Sequence, residues 1–296
     1  MGCGSYSTSD FVNYSRSVGK LYDTTTKTVT NQVYRATKID KALRPKNIMR
    51  ECCNNKEHPN TVPVILALDV TGSMGTACKR TAEALNIIME DVMDKYKDVE
   101  FAVMGIGDLA YDDAPIQMSQ FESDVRIAES MDKVYMEHGG GGNDYESYTA
   151  AWYMGLKHTK LDAYDKQGRK GIIITMGDEA LNPYLPHEEL SEVTGDKLQG
   201  DVETKDLYES AKEKFDIYHI AIDDSSSCYS DNKRDIEKTF GKLLGENYKV
   251  ATINSLPHAI TSCLDASLKN SGSVSFASEK VESSKTKLNE SGEITW

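Results

Sequence analysis

The chain has 296 residues, of which 39% are hydrophobic and 27% charged, and its formal net charge is −13. This composition is typical of a globular protein, and the negative charge argues against broad contact with nucleic acid or anionic lipid. No run of residues approaches the roughly 18 consecutive apolar residues of a membrane span. The first residues lack the apolar stretch of a signal peptide, and the six cysteines lack the spacing of a disulfide framework. We therefore expect a cytoplasmic protein that contacts neither nucleic acid nor membrane.

Changes of pattern divide the chain into three parts. Residues 1–61 are mostly polar, and we interpret them as an N-terminal arm and connector, with one modest helix within 28–52 before Pro45. Residues 62–268 alternate between strand and helix patterns and form the predicted domain. Residues 269–296 are rich in Ser, Lys and Glu without a sustained period, which predicts a flexible tail.

The strongest pattern opens the predicted domain. Residues 62–69 are mostly Val, Ile, Leu and Ala, too few for an ordinary helix and typical of a strand buried on both faces. This run ends abruptly at Asp69, and Thr71 and Ser73 follow it. Beyond them, apolar residues recur with the 3.6-residue period of an amphipathic helix. The three polar side chains are therefore predicted to lie where a strand passes into a helix.

Further strands and helices alternate as far as residue 268. Strands are predicted at 99–107, 170–177, 216–222 and 248–253, with a weaker edge strand at 116–121. Helical patterns separate most of these strands. The order predicts an α/β fold with a doubly wound, mostly parallel, Rossmann-like sheet, helices on both faces, and one short antiparallel edge strand.

Polar residues of three loops are predicted to meet at one edge of this sheet. The second loop follows four glycines at 139–142 and contains Asn143, Asp144 and Glu146, and the third contains Asp178 with Glu179. Oxygen ligands of this kind suit Mg²⁺, Mn²⁺ or Ca²⁺ better than zinc or copper. Which residue of the second loop faces the metal stays open, and Asp144 and Glu146 are preferred. The predicted ligands are Asp69, Thr71, Ser73, Asp144, Glu146 and Asp178, with Mg²⁺ as the preferred ion.

The first loop also has a simpler interpretation. In an extended segment positions 69, 71 and 73 point the same way, which would let the three side chains face one cation. Aspartate, threonine and serine at the start of a helix are, however, common helix caps. Thr71 or Ser73 could therefore simply cap the helix that begins near Met74. The polar residues of the other two loops favour the metal interpretation.

The sequence Asp69-Val-Thr71-Gly-Ser73 resembles the Asp-x-Ser-x-Ser metal-ion-dependent adhesion site (MIDAS) of von Willebrand factor A (vWA) domains. The order of elements agrees over residues 62–268: the first loop follows the first strand, a glycine loop leads into a helix, and a later strand ends at Asp178. The resemblance implies that Thr71 and Ser73 bind the metal directly. It also implies that Asp69 and Asp178 bind it directly or through water, and that a partner's carboxylate completes the shell.

The second loop departs from the usual pattern of that family. Where many members have a threonine, this chain has the acidic run 143–147, which is similar to that of bacterial, stand-alone vWA proteins. An extra carboxylate could strengthen cation binding and weaken the metal's pull on a partner's acid. The resemblance implies a non-enzymatic protein-binding module that holds Mg²⁺ and accepts an Asp or Glu of a protein partner. It leaves the oligomeric state open.

A hydrolase that uses the same loops is the alternative. Thr71-Gly-Ser73-Met-Gly75 is close to the nucleophile elbow Gly-x-Ser-x-Gly, although Thr71 replaces the first glycine. The chain order of a serine-hydrolase triad is met by Ser73, Asp178 or Asp223, and His258. Clustered carboxylates with a metal could also hydrolyse phosphate esters.

Overall fold

The structure is a computed structural model that describes residues 4–23, 28–30, 36–137 and 145–270. The strands are β1 Leu21–Asp23, β2 Thr28–Thr30, β3 Arg50–Cys52, β4 Val62–Asp69, β5 Val99–Ile106, β6 Ile116–Met118, β7 Tyr145–Glu146, β8 Thr159–Leu161, β9 Gly171–Gly177, β10 Ala180–Leu181, β11 Tyr184–Leu185, β12 Val202–Glu203, β13 Phe215–Ile222 and β14 Tyr248–Ala251.

The helices are α1 Thr8–Ser17, α2 Gly75–Lys95, α3 Arg126–Asp132, α4 Thr149–Lys157, α5 Asp162–Asp165, α6 His187–Thr194, α7 Thr204–Lys214, α8 Tyr229–Ile236, α9 Lys242–Leu244 and α10 Leu256–Asn270. A π-helical turn at Glu237–Gly241 joins α8 to α9. None of the helices in the described ranges combines the length and the apolar character needed to cross a bilayer.

A six-stranded sheet in the order β14-β13-β9-β4-β5-β6 forms the centre of the molecule. All neighbouring strands run parallel except β6, which pairs antiparallel with β5. The prediction of a doubly wound, mostly parallel sheet with one short antiparallel edge strand is therefore confirmed. The weak pattern of the edge strand has a physical reason, because β6 pairs with β5 over three residues.

Alternation along β4 builds a hydrophobic layer on each face of the sheet. Leu66 and Leu68 pack in one buried cluster with residues of α2 and α10. Ile65 and Ala67 pack in another with residues of α4 and α7. Both faces of β4 are covered, which explains why its sequence is continuously apolar.

The site predicted from the sequence falls at the point where the chain changes direction across the sheet. From β4 the chain passes through α2 to β5 on one side, and it later returns through α4 to β9 on the other side of β4. The connections after β4 and before β9 lie on opposite faces. A crevice opens at such a switch point beyond the carboxyl ends of the strands, and this is where open α/β sheets place their ligands.

Part of the N-terminal segment packs against the core. Tyr6 and Phe11 are buried in the same cluster as α2 and α10, with α1 packed against the core. The predicted helix within 28–52 is wrong from residue 36 onward, because only a 3₁₀ turn forms at Lys41–Leu43. Pro45 forces the preceding residue into an extended conformation, which prevents the turn from growing into a helix. Residues 271–296 of the predicted tail lie outside the described residues.

Candidate metal centre

β4 ends at Asp69, and this carboxylate is fully buried. Its Oδ1 accepts the backbone N–H of Thr71 at 3.0 Å and the hydroxyl of Thr71 at 2.6 Å. The loop therefore curls back over the end of the strand. Thr71, which is itself buried, directs its hydroxyl proton toward the Asp69 carboxylate.

Ser73 connects this loop to the end of β9. Its hydroxyl donates to Oδ1 of Asp178 at 3.1 Å, and its oxygen lies 3.0 Å from Oγ1 of Thr71. Asp178 is fully buried, and its Oδ2 accepts the backbone N–H of Cys228 at 2.6 Å. The structure thus brings the predicted residues of the first and third loops into one hydrogen-bonded cluster: Asp69, Thr71, Ser73 and Asp178.

The direction of the hydroxyl protons gives the cluster its chemical character. A hydroxyl group has one proton to donate. Both hydroxyls lie within hydrogen-bond distance of a carboxylate and 3.0 Å from each other, and either one could donate to the other. When both carboxylates are ionised and accept these protons, the two hydroxyl oxygens present lone pairs on the same side. In that state the arrangement has the polarity that a cation needs.

Neither hydroxyl of the first loop caps the following helix. The N-cap position of α2 is Met74, and no side chain forms a capping hydrogen bond there. The hydroxyls of Thr71 and Ser73 bond to carboxylates instead. The interpretation of these residues as helix caps is therefore wrong.

The start of α2 is fixed by a fourth loop, the one that follows β13. Gly75 has φ of +50°, and a Cβ atom there would lie 2.7 Å from the carbonyl oxygen of Ser226. The side chain of Arg80 on α2 forms an ion pair with Asp224 at 2.6 Å. The same loop supplies the Cys228 N–H that bonds to Asp178. This contribution was not predictable from the sequence, because a backbone donor leaves no signature in residue type.

The described part of the second loop acts on the cluster through the charge of Glu146 and not through a hydrogen bond. Glu146 is 4% exposed, and its Oε2 has no hydrogen-bond partner among the described residues. It makes no hydrogen bond to the four clustered residues, but the charge of Asp69 acts on it. Asn143 and Asp144 lie outside the described residues, so the role predicted for Asp144 stays a prediction.

Among the described residues of this segment, Tyr148 touches the cluster. Its hydroxyl donates to Oδ2 of Asp69 at 2.5 Å and accepts the backbone N–H of Glu179 at 3.3 Å. The side chain is fully buried at the start of α4. Tyrosines near a helix start usually pack in a core, so residue type alone gives little reason to select this one.

The buried acids carry an electrostatic cost. Burial, together with the charge of Asp178, raises the pKa of Asp69 to about 8. Burial also raises the pKa of Asp178 above its ordinary value, and burial with the charges of neighbouring acids raises the pKa of Glu146 to about 11. No described Lys, Arg or His side chain is among the groups that shift these three pKa values. A bound cation would offset the cost of keeping the carboxylates ionised.

The spacing of the hydroxyls fits a small divalent ion. Mg²⁺ holds oxygen ligands at about 2.1 Å in an octahedron, so adjacent ligand oxygens lie about 3.0 Å apart. The distance between Thr71 Oγ1 and Ser73 Oγ is 3.0 Å. Within the described ranges, no three His, Cys, Asp or Glu side chains are grouped to hold a metal. A cation at this position would therefore depend on the two hydroxyls as well as the aspartates.

Comparison with known proteins gives structural similarities only. No protein-family model and no curated protein sequence matches the chain. Similar solved structures include the pilus adhesin SpaC from Lactobacillus rhamnosus GG in its open conformation, with a TM-score of 0.48, 11% identity, and coverage of 76% of this chain and 31% of the adhesin. The chain thus spans about a third of that adhesin.

Two smaller proteins align over most of their own length. The VWA domain of SpRpn10 aligns with a TM-score of 0.37 and 13% identity, covering 65% of this chain and 87% of that domain. The vWF domain of the type V pili tip protein Mfa5 from Porphyromonas gingivalis aligns with a TM-score of 0.41 and 11% identity, covering 71% and 96%. Similarities of this size give no basis for transferring a ligand or an activity.

Proposed function

We propose that this chain is a protein-binding module whose binding depends on a divalent cation, Mg²⁺ or Mn²⁺. The residues that would hold the cation are Asp69, Thr71, Ser73 and Asp178, with Asp144 and Glu146 of the second loop as further candidates. The observation that carries the proposal is the meeting of two hydroxyls and two buried carboxylates at the ends of β4 and β9, with the hydroxyl oxygens 3.0 Å apart and each within hydrogen-bond distance of a carboxylate.

The exposure of the loop supports a site that is open on one side. Asp69, Thr71 and Asp178 are buried, whereas Ser73 is half-buried and Gly72 is exposed. An external ligand could therefore approach the cluster past Gly72 and Ser73. A bound cation would supply positive charge there for an oxygen ligand from outside. The resemblance to the vWA metal site suggests that this ligand is an Asp or Glu side chain of a protein partner.

A serine hydrolase has less support from the same geometry. A serine nucleophile needs a general base within hydrogen-bond reach. Ser73 bonds to Thr71 and Asp178, and no histidine of the described residues lies within hydrogen-bond distance of its hydroxyl. His258, the triad member that the sequence offered, is exposed on α10. His219 bonds to Thr175, and its burial lowers its pKa to about 3.

Calorimetric titration with MgCl₂ and MnCl₂ tests the cation site. The wild-type protein, freed of metal with EDTA and dialysed, should bind one cation, and Ser73→Ala should bind it much more weakly because an oxygen ligand is lost. Ser255→Ala is the matched control, since Ser255 is exposed and its hydroxyl bonds to Thr252. Absence of binding by the wild type, or equal binding by Ser73→Ala, would contradict the proposal.

Capture of partners tests the second half of the proposal. The immobilised protein should retain specific proteins from a lysate in Mg²⁺ and release them in EDTA. The Ser73→Ala protein should retain none of them, while Ser255→Ala retains the same set. Retention that persists in EDTA would count against cation-dependent binding.

A further inference from the structure

One phenolic oxygen joins the two acidic loops of the candidate metal centre. The Tyr148 hydroxyl donates to Oδ2 of Asp69, at the end of β4, and accepts the N–H of Glu179, beyond the end of β9. That N–H belongs to the peptide group immediately after Asp178. A single atom of Tyr148, the residue before α4, therefore connects the loop of the first aspartate with the loop of the second.

The hydrogen bonds leave the Asp69 carboxylate no freedom to rotate. Its Oδ1 is held by the N–H and the hydroxyl of Thr71, and its Oδ2 is held by Tyr148. Rotation about the side-chain bond would break bonds at both oxygens together. The direction in which Thr71 presents its lone pairs depends on Oδ1, so Tyr148 acts on the hydroxyl pair through Asp69.

Packing holds the Tyr148 ring in the one position from which it reaches both loops. The ring meets His219 and Phe240 edge-on, with centroid distances of 5.2 and 5.5 Å. Gly177, the last residue of β9, makes room for the hydroxyl, because a Cβ atom there would lie 2.0 Å from Tyr148 Oη. The strand end that precedes Asp178 therefore lacks a side chain at the point where this hydroxyl lies.

We infer that Tyr148 is a positioning residue for the cation site: through its bonds to Asp69 and to the N–H that follows Asp178, it sets the geometry of both aspartates. The inference rests on the proposed function. Partners that orient metal ligands typically change metal affinity about 10- to 100-fold when they are removed. Loss of the Tyr148 hydroxyl is expected to weaken Mg²⁺ binding by a factor in this range.

Tyr153, on α4, provides a closely matched control. Its hydroxyl donates to a carboxylate, Oδ2 of Asp196, at 2.5 Å, the same distance as the bond from Tyr148 to Asp69. The Tyr153 side chain is also buried, at 3% exposure. Tyr153→Phe and Tyr148→Phe thus each remove a phenolic oxygen that donates to a carboxylate, and only Tyr148→Phe affects the candidate centre.

The experiment compares cation affinity with stability in the two variants. Calorimetric titrations with Mg²⁺ and Mn²⁺ would be combined with thermal unfolding in EDTA, which shows that each variant is folded under the titration conditions. We expect both variants to melt below the wild type in EDTA. Tyr148→Phe should bind Mg²⁺ about 10- to 100-fold more weakly than the wild type, and Tyr153→Phe should bind it as the wild type does.

Two results would overturn the inference while leaving the proposed function intact. One is wild-type affinity in Tyr148→Phe. The other is an equal loss of affinity in Tyr153→Phe, which would show that any lost buried hydroxyl loosens the site. Failure of the wild type itself to bind a cation is a distinct result, and it would remove the proposed function and the inference together.

Discussion

Glu100 offers a test of how this fold tolerates a buried acid away from the candidate centre. It is the second residue of β5, at the amino end of the parallel strands, and it is fully buried. The described groups that act on it include Cys52, His58 and Glu122. Burial, which outweighs the other influences, raises the pKa of Glu100 from its ordinary 4.5 to about 7.

The size of the effect follows from this pKa. The folded protein binds the Glu100 proton more tightly than the unfolded chain, so the associated stability is present at low pH and is lost as the pH rises. Each pH unit between the two pKa values lowers the free energy of unfolding by about 1.4 kcal/mol. Between pH 4.5 and 7 the loss due to Glu100 is therefore about 3 kcal/mol.

Urea unfolding of the wild type and Glu100→Gln at pH 5 and pH 8 measures this contribution. The glutamine keeps the shape of the side chain and removes its charge, so the variant should gain about 3 kcal/mol relative to the wild type on going from pH 5 to pH 8. The gain should be the same in EDTA and in Mg²⁺, because Glu100 lies at the opposite end of the strands from Asp69. A constant difference between the two proteins across this pH range would refute the reasoning.

Three further predictions concern the centre itself. Mg²⁺ affinity should rise with pH between 6 and 8, since a cation must displace the proton that Asp69 holds below its pKa of about 8. Calorimetric titration at three pH values measures this rise, and an affinity that does not change with pH would contradict the prediction. Glu146→Gln should melt at a higher temperature than the wild type in EDTA at pH 8, because it removes a buried acid, and it should bind Mg²⁺ about tenfold more weakly. Unchanged Mg²⁺ affinity in calorimetry would show that Glu146 is not a ligand. Gly177→Ala should weaken Mg²⁺ binding by displacing the Tyr148 hydroxyl, which titration of the folded variant would check.

The sheet and the first loop were predictable because their signals are local. A continuously apolar run such as 62–69 specifies a strand covered on both faces, wherever the covering helices come from. Parallel strands place their carboxyl ends at one edge, so Asp69 and Asp178 were expected to approach each other without any knowledge of side-chain packing. The structure places Ser73 in hydrogen-bond contact with Asp178, as that argument requires.

Tyr148 and Cys228 were not predictable, because their contributions depend on tertiary packing. Tyr148 reaches Asp69 only because Gly177 leaves space and two rings hold its own ring in place. Cys228 contributes a backbone N–H, which every residue except proline possesses. The residue type of Thr71 likewise could not distinguish a helix cap from a metal ligand, since both roles favour hydroxyl side chains.

The most direct test of the central claim is to locate a cation in crystals grown with MnCl₂. The account predicts an anomalous difference peak between Thr71 Oγ1 and Ser73 Oγ, at roughly 2.1–2.2 Å from each oxygen, and no peak in crystals of Ser73→Ala. A fully ordered cluster without a peak at that position, or a peak coordinated by other residues, would contradict it.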